Sequence, residues 1–125
     1  MKLIATNQRV QFYITYSQDR PSTAIKNERF NSLIESLEQQ NIMLDELFSY
    51  KQQQVLDHIL YITSSKGISK VGADSLADKC GVSVRTVYAA VKALKSTNEF
   101  IVARLRKASG GMGKYIFVDK KHKDF

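Results

Sequence analysis

The sequence predicts a mainly helical α+β fold with a three-helix core, a C-terminal β-hairpin and an N-terminal arm. Three observations lead to this expectation. Apolar residues recur at helical spacing between residues 50 and 96. Beyond them, two short β-prone segments flank a glycine-rich stretch, which is typical of a hairpin. The first 48 residues add one strand-like and one helix-like pattern, and residues 120–125 form a charged tail.

The arm, residues 1–48, holds one predicted strand and one predicted helix. Residues 9–16 alternate apolar and polar side chains rich in β-branched and aromatic types, which favours a half-buried strand. Residues 28–40 place four apolar side chains on one face at the spacing of an amphipathic helix. These side chains are Phe30, Leu33, Ile34 and Leu37. Each apolar face needs a partner, so the arm either packs back onto the rest of the chain, forms a homodimer interface or docks another protein.

The remaining domain, residues 49–119, opens with a helix that is expected to begin between Asp45 and Lys51. This helix runs to Gly67, a residue able to take the left-handed conformation that often ends a helix. A second and shorter helix is predicted from Ala73 to Cys80. Together these segments supply the first two helices of the core.

A tight turn is predicted at Gly81, followed by a third helix at residues 83–96 that Ser83 caps with its side-chain oxygen. Ala77 is small enough to lie where two helices cross. The spacing of Ala77, Gly81 and Val87 suits two helices joined by a tight turn. The apolar residues expected between the helices are Leu76, Cys80, Val82, Val87 and Val91.

The segment Leu76–Tyr88 (Leu-Ala-Asp-Lys-Cys-Gly-Val-Ser-Val-Arg-Thr-Val-Tyr) resembles the winged helix-turn-helix DNA-binding domain family, and the resemblance extends over about residues 50–118. It implies that the chain binds double-stranded DNA with the third helix, the recognition helix, in the major groove. The implied DNA contacts on this helix are Ser83, Val84, Arg85, Thr86, Tyr88, Ala89, Lys92 and Lys95. Arg85 is the expected base reader, since its guanidinium matches guanine N7 and O6. Many family members have a long polar residue in place of Ala89, so we expect a modest sequence preference read partly through DNA shape.

The wing, residues 104–114, is the loop of the predicted hairpin, whose strands are expected at residues 100–105 and 115–118. The resemblance implies contacts to the DNA backbone or minor groove from four wing cations: Arg104, Arg106, Lys107 and Lys114. The alternative is a solvated turn that merely tolerates charge. The wing glycines do not form a nucleotide-binding phosphate loop, because Ala108 replaces the required first glycine and Tyr115 replaces the required serine or threonine.

Basic charge is concentrated in the predicted DNA-binding part of the chain. Residues 1–50 carry five Lys and Arg against six Asp and Glu, a net charge of −1. Residues 51–125 carry fourteen against six, a net charge of +8, which accounts for the formal +7 of the whole chain. This asymmetry favours a polyanionic partner.

No residue pattern indicates an enzyme, a metal site or a cofactor. Cys80, the only cysteine, fits a reducing cytoplasm and is expected to be a small buried thiol. His58 has no Cys or His at metal-ligand spacing, and His122 belongs to the charged tail. No apolar stretch approaches the roughly 20 residues of a membrane helix, and the apolar start of the chain is too short for a signal peptide. We therefore expect a cytoplasmic protein with no membrane partner.

The expected function is double-stranded DNA binding without catalysis, most simply as a transcription regulator. A plasmid or phage replication or partition protein is an alternative, because such proteins use the same module. A protein-interaction module built on the same scaffold is an alternative of another class, although the basic excess argues against it. Winged-helix RNA binders share the charge pattern and stay open as well.

Overall fold

The computed structural model describes residues 21–109 and 112–122, which form a mixed α+β architecture. Within these residues, five helices combine with one three-stranded antiparallel sheet. The helices are α1 (Thr23–Gln39), α2 (Leu44–Leu47), α3 (Tyr50–Thr63), α4 (Ala73–Cys80) and α5 (Val84–Ser96). The strands are β1 (Ile68–Val71), β2 (Phe100–Arg106) and β3 (Met112–Asp119), in the spatial order β1-β3-β2. The strand predicted at residues 9–16 lies outside the described residues.

Helix α1 begins at Thr23, earlier than the predicted Glu28. The cause is a cap that the apolar spacing did not reveal, because the Ser22 hydroxyl accepts a hydrogen bond from the backbone N–H of Ile25 at 3.2 Å. Leu33 and Leu37 of α1 are buried in the main core. The helix therefore packs back onto the rest of the chain, which was one of the alternatives for the arm.

Helix α3 begins at Tyr50, inside the predicted range, because Ser49 and Gln52 form a reciprocal cap. The Ser49 hydroxyl accepts from the Gln52 backbone N–H at 3.3 Å, while the Gln52 side chain accepts from the Ser49 backbone N–H at 3.0 Å. Gly67 follows the end of α3 with a φ of 79°, as predicted for a left-handed residue. Four apolar residues of α3 are completely or almost completely buried: Val55, Leu56, Ile59 and Leu60.

Helices α4 and α5 form the predicted pair around a tight turn. Gly81 has a φ of 64° and a ψ of 38°, and its backbone N–H donates to the carbonyl oxygen of Ala77. Ser83 caps α5 by accepting from the Thr86 N–H at 3.1 Å. Ala77 and Val87 are buried, as expected for residues between the two helices, whereas Cys80 and Val82 are only half-buried, so Cys80 is not the buried thiol that was expected. The bounds of both helices agree with the prediction.

Strand β1 was not predicted. It pairs antiparallel with β3, with Ile68 opposite Val118 and Val71 opposite Tyr115. The hairpin strands also extend beyond the predicted residues 100–105 and 115–118, reaching Arg106 in β2 and starting at Met112 in β3. The sheet is therefore larger than the single hairpin expected from the sequence.

His122 belongs to the predicted charged tail but packs against the rest of the chain. Its side chain is buried, and its Nε2 lies 2.8 Å from the carbonyl oxygen of Ser64. Lys120 and Lys121 are exposed, in keeping with a charged tail. In the part of the chain that the structure describes, no helix is both long enough and apolar enough to cross a membrane.

Candidate nucleic-acid interface

Helix α5 has one apolar face and one basic face. Its buried face consists of Val87, Ala90, Val91 and Leu94. The exposed residues include Arg85, Tyr88, Lys92 and Lys95, which follow one another at intervals of three or four residues and so share a side of the helix. No acidic residue occurs between Val84 and Ser96. The solvent-facing side of α5 is therefore a stripe of positive charge with one aromatic ring.

The first turn of α5 presents hydroxyl groups next to this stripe. The hydroxyls of Ser83 and Thr86 lie 3.0 Å apart and are accessible at the surface. The Ser83 oxygen also caps α5, because it accepts a hydrogen bond from the Thr86 backbone N–H. Val84 packs partly against the main core. Ala89 is half-buried.

Three of the four predicted wing cations are exposed, whereas Arg104 is half-buried. The exposed cations are Arg106, Lys107 and Lys114. The guanidinium of Arg104 lies over the ring of Tyr115 and near the ring of Tyr88, with Cζ to ring-centroid distances of 4.6 and 5.9 Å. Burial raises the pKa of the Tyr115 phenol, and the positive charge of Arg104 offsets part of that rise. The aromatic partners of Arg104 were not foreseen.

An open groove of about 780 Å³ separates the wing from the start of α4. Tyr88 of α5 lines it together with all four wing cations and with Lys70 of β1. The pKa of Lys70 lies below its ordinary value because of desolvation and the nearby charge of Lys114. Asp74 contributes a carboxylate to the lining. With five cations on its walls, the groove suits an anionic ligand.

The groove brings together only part of the predicted site. Tyr88 and the wing cations meet there. The remaining predicted residues of α5 lie outside its lining: Ser83, Val84, Arg85, Thr86, Ala89, Lys92 and Lys95. Lys70 joins the site although sequence reasoning missed it, because β1 itself was not predicted. The glycines at positions 67 and 72, which bracket this strand, were the available signal.

His58 and Cys80 line a second groove, of about 490 Å³, formed by α1, α3 and α4. Burial, followed by the charge of Lys79, lowers the pKa of His58. Burial, followed by the charge of Asp57, raises the pKa of Cys80, whose Sγ donates to the Gln54 carbonyl oxygen at 3.7 Å. A raised thiol pKa disfavours the reactive thiolate. Among the residues described, no group of three or more His, Cys, Asp and Glu side chains is arranged to hold a metal ion.

Comparisons with protein-family models, with curated proteins and with solved structures found no significant match to this chain.

Proposed function

We propose that this chain binds double-stranded DNA as a winged helix-turn-helix protein and acts, without catalysis, as a transcription regulator in the cytoplasm. Helices α3, α4 and α5 then form the three-helix core, and α5 is the recognition helix. The hairpin of β2 and β3 carries the wing. The order of these elements and the tight turn at Gly81 support this assignment.

The observation that carries the proposal is the position of Tyr88. This residue belongs to the exposed stripe of α5 and also lines the groove with the wing cations. The stripe and the groove are therefore continuous and form one basic surface. An α-helix fits the major groove of B-DNA, which is about 12 Å wide, and a basic hairpin beside it can follow the flanking backbone.

The charge distribution supports a polyanion rather than a protein partner. The recognition helix and the wing together contain seven cations and no carboxylate. A surface for docking a neutral protein needs no such excess, because interface cores are usually depleted of charge. The hydroxyls of Ser83 and Thr86 share one hydrogen bond, which leaves the pair one O–H group that can donate to a phosphate oxygen.

The test begins with binding of the full chain to a fluorescent DNA duplex, measured by anisotropy over a salt series. Affinity should fall steeply with salt. A plot of the logarithm of the binding constant against the logarithm of the salt concentration should have a slope of about −0.9 for each phosphate neutralised. A preferred duplex is then selected from a random-sequence pool. Arg85→Ala should weaken binding to that duplex about tenfold, since it removes a base contact.

Lys51→Ala is the matched control, because it also removes one exposed cation, but from α3 and not from the basic surface. Lys51 is next in sequence to Tyr50, which lines the second groove. It should leave the affinity nearly unchanged.

Absence of duplex binding even at low salt would overturn the proposal, as would tighter binding to duplex RNA. Equal weakening by both variants would place the contact elsewhere than on α5. Preferred sites next to a promoter would support a regulator, whereas repeated sites at an origin would indicate a replication role.

A further inference from the structure

Arg104 is half-buried and contacts other residues of the protein, unlike the three exposed cations of the wing. Its guanidinium lies near two aromatic rings, with Cζ 4.6 Å from the ring centroid of Tyr115 and 5.9 Å from that of Tyr88. Its Nη2 donates a hydrogen bond to the Gly113 carbonyl oxygen at 3.2 Å. Its Nε is buried and has no acceptor among the described residues. The two ring contacts and this hydrogen bond hold the guanidinium against the protein.

The contacts of Arg104 join three elements. Arg104 belongs to β2, Tyr115 to β3 and Tyr88 to α5. Tyr115 in turn packs against the ring of Phe117, a fully buried core residue, at a centroid distance of 5.6 Å. An unbroken series of contacts therefore leads from the core through Tyr115 and Arg104 to the recognition helix.

Arg104 also lies where the hairpin becomes irregular. Opposite β3, Arg104 pairs with Tyr115, but the next pair along joins Arg106 to Met112. Gly113 therefore falls in the irregular segment between these two pairs. Such a bulge bends and twists its strand, so the course of the hairpin changes at this point. The bond from Arg104 to the Gly113 carbonyl holds the backbone of this segment.

We infer that Arg104 is a positioning residue that fixes the wing against the recognition helix and acts on DNA through Tyr88 and Gly113. The role needs the flat, weakly hydrated guanidinium, which stacks on rings while it donates at its edge. A lysine ammonium has the charge but not this shape. The consequence for DNA rests on the proposed function, whereas the positioning itself is a property of the free protein.

Amide hydrogen exchange of the free full-length chain tests the positioning directly. Arg104→Gln and Arg104→Lys should both accelerate exchange at residues 104–106 and 112–115 by about three- to tenfold. Tyr88→Leu should do the same, because it removes the ring on α5, while Tyr88→Phe should restore slow exchange. Tyr88 is 46% exposed, so its variants test the inference even where an Arg104 variant fails to fold. Arg106→Gln is the matched control and should leave exchange unchanged.

Binding to duplex DNA then separates positioning from direct contact. A positioning role predicts that Arg104→Lys weakens binding as much as Arg104→Gln, because the retained charge does not restore the geometry. A phosphate ligand would instead keep its affinity in Arg104→Lys. Wild-type exchange in Arg104→Lys, or no change in Tyr88→Leu, would overturn the inference. If the wild type bound no duplex, the proposed function would fail while the exchange result still decided the role of Arg104.

Discussion

Gly67 and Gly81 both adopt positive φ angles, but their surroundings differ. A Cβ added at Gly81 would meet no atom within 4 Å, so only backbone strain opposes a side chain there. A Cβ added at Gly67 would lie 2.8 Å from Cβ and 2.9 Å from Cγ of His122. We therefore expect Gly81→Ala to lower the free energy of unfolding by about 1 kcal/mol, the cost of a left-handed alanine. Gly67→Ala should lower it by about 3 kcal/mol, because overpacking adds to the strain.

Urea unfolding followed by circular dichroism measures both losses. The clash with His122 can be separated from the strain by repeating Gly67→Ala in a His122→Gly background. There the added loss should shrink to the value for Gly81→Ala. An undiminished loss would mean that His122 is not the obstacle at Gly67.

The turn and cap residues that the sequence predicted act through their nearest neighbours in the chain. Ser83 caps the helix that follows it, and Gly81 supplies the backbone conformation of its own turn. Arg104 acts through contacts that sequence spacing does not encode. Its partner Tyr88 lies on α5, the helix that precedes β2 in the chain. Tyr115 lies opposite Arg104 only because of the register between β2 and β3. The four wing cations therefore looked alike in the sequence, although one of them lies against two aromatic rings.

Helix α1 is attached to the end of β3 by a buried ion pair. Arg29 donates from Nε to Asp119 Oδ2 at 2.7 Å and from Nη2 to Oδ1 at 3.1 Å. The two side chains are only 11% and 3% exposed. Removing one partner leaves the other charge buried and unpaired, so Arg29→Met should lower the free energy of unfolding by about 3 kcal/mol. Chemical unfolding at neutral pH measures the loss.

Lys26→Met is the matched control on the same helix. Lys26 pairs with Asp57 at 2.9 Å, but the Asp57 side chain is 49% exposed, so the pair is screened by solvent. Its loss should cost about 0.5 kcal/mol. In a double-mutant cycle, Arg29→Met should cost less once Asp119→Leu has removed the partner charge. Additive losses would show that the two residues do not stabilise each other.

The elements that could be predicted are the ones long enough to show a period. The apolar spacing of α3 and α5 repeats over several turns, and both helices lie where the sequence placed them. Strand β1 has four residues, too few for alternation to stand out, and it is held by pairing with β3 at the far end of the chain. The Ser22 cap extends α1 through residues with no apolar repeat. Strand β1 and the start of α1 were therefore not predicted, because each depends on a hydrogen-bonding partner that the apolar pattern does not reveal.

The core of the molecule crosses the boundary that was expected between the arm and the domain. Leu33 and Leu37 of α1 and Phe48 belong to the same buried cluster as the residues of α3 and α5. From sequence, the apolar face of α1 was equally compatible with this packing and with an interface to a second copy or to another protein. Periodicity identifies a face that must be covered but not what covers it. Dimerisation through residues 1–48 stays a prediction.

Truncation tests whether residues 49–125 form an independent domain. Loss of Leu33, Leu37 and Phe48 removes three fully or almost fully buried side chains from the core. Each such loss typically costs about 2 to 5 kcal/mol, so together they approach the whole stability of a small domain. The fragment 49–125 should therefore show no cooperative urea transition and should bind a hydrophobic dye. A fragment beginning at residue 21 keeps every core residue described here and should unfold cooperatively. Cooperative unfolding of 49–125 at the midpoint of the full chain would instead show that α1 is dispensable and that residue 48 ends a separate arm.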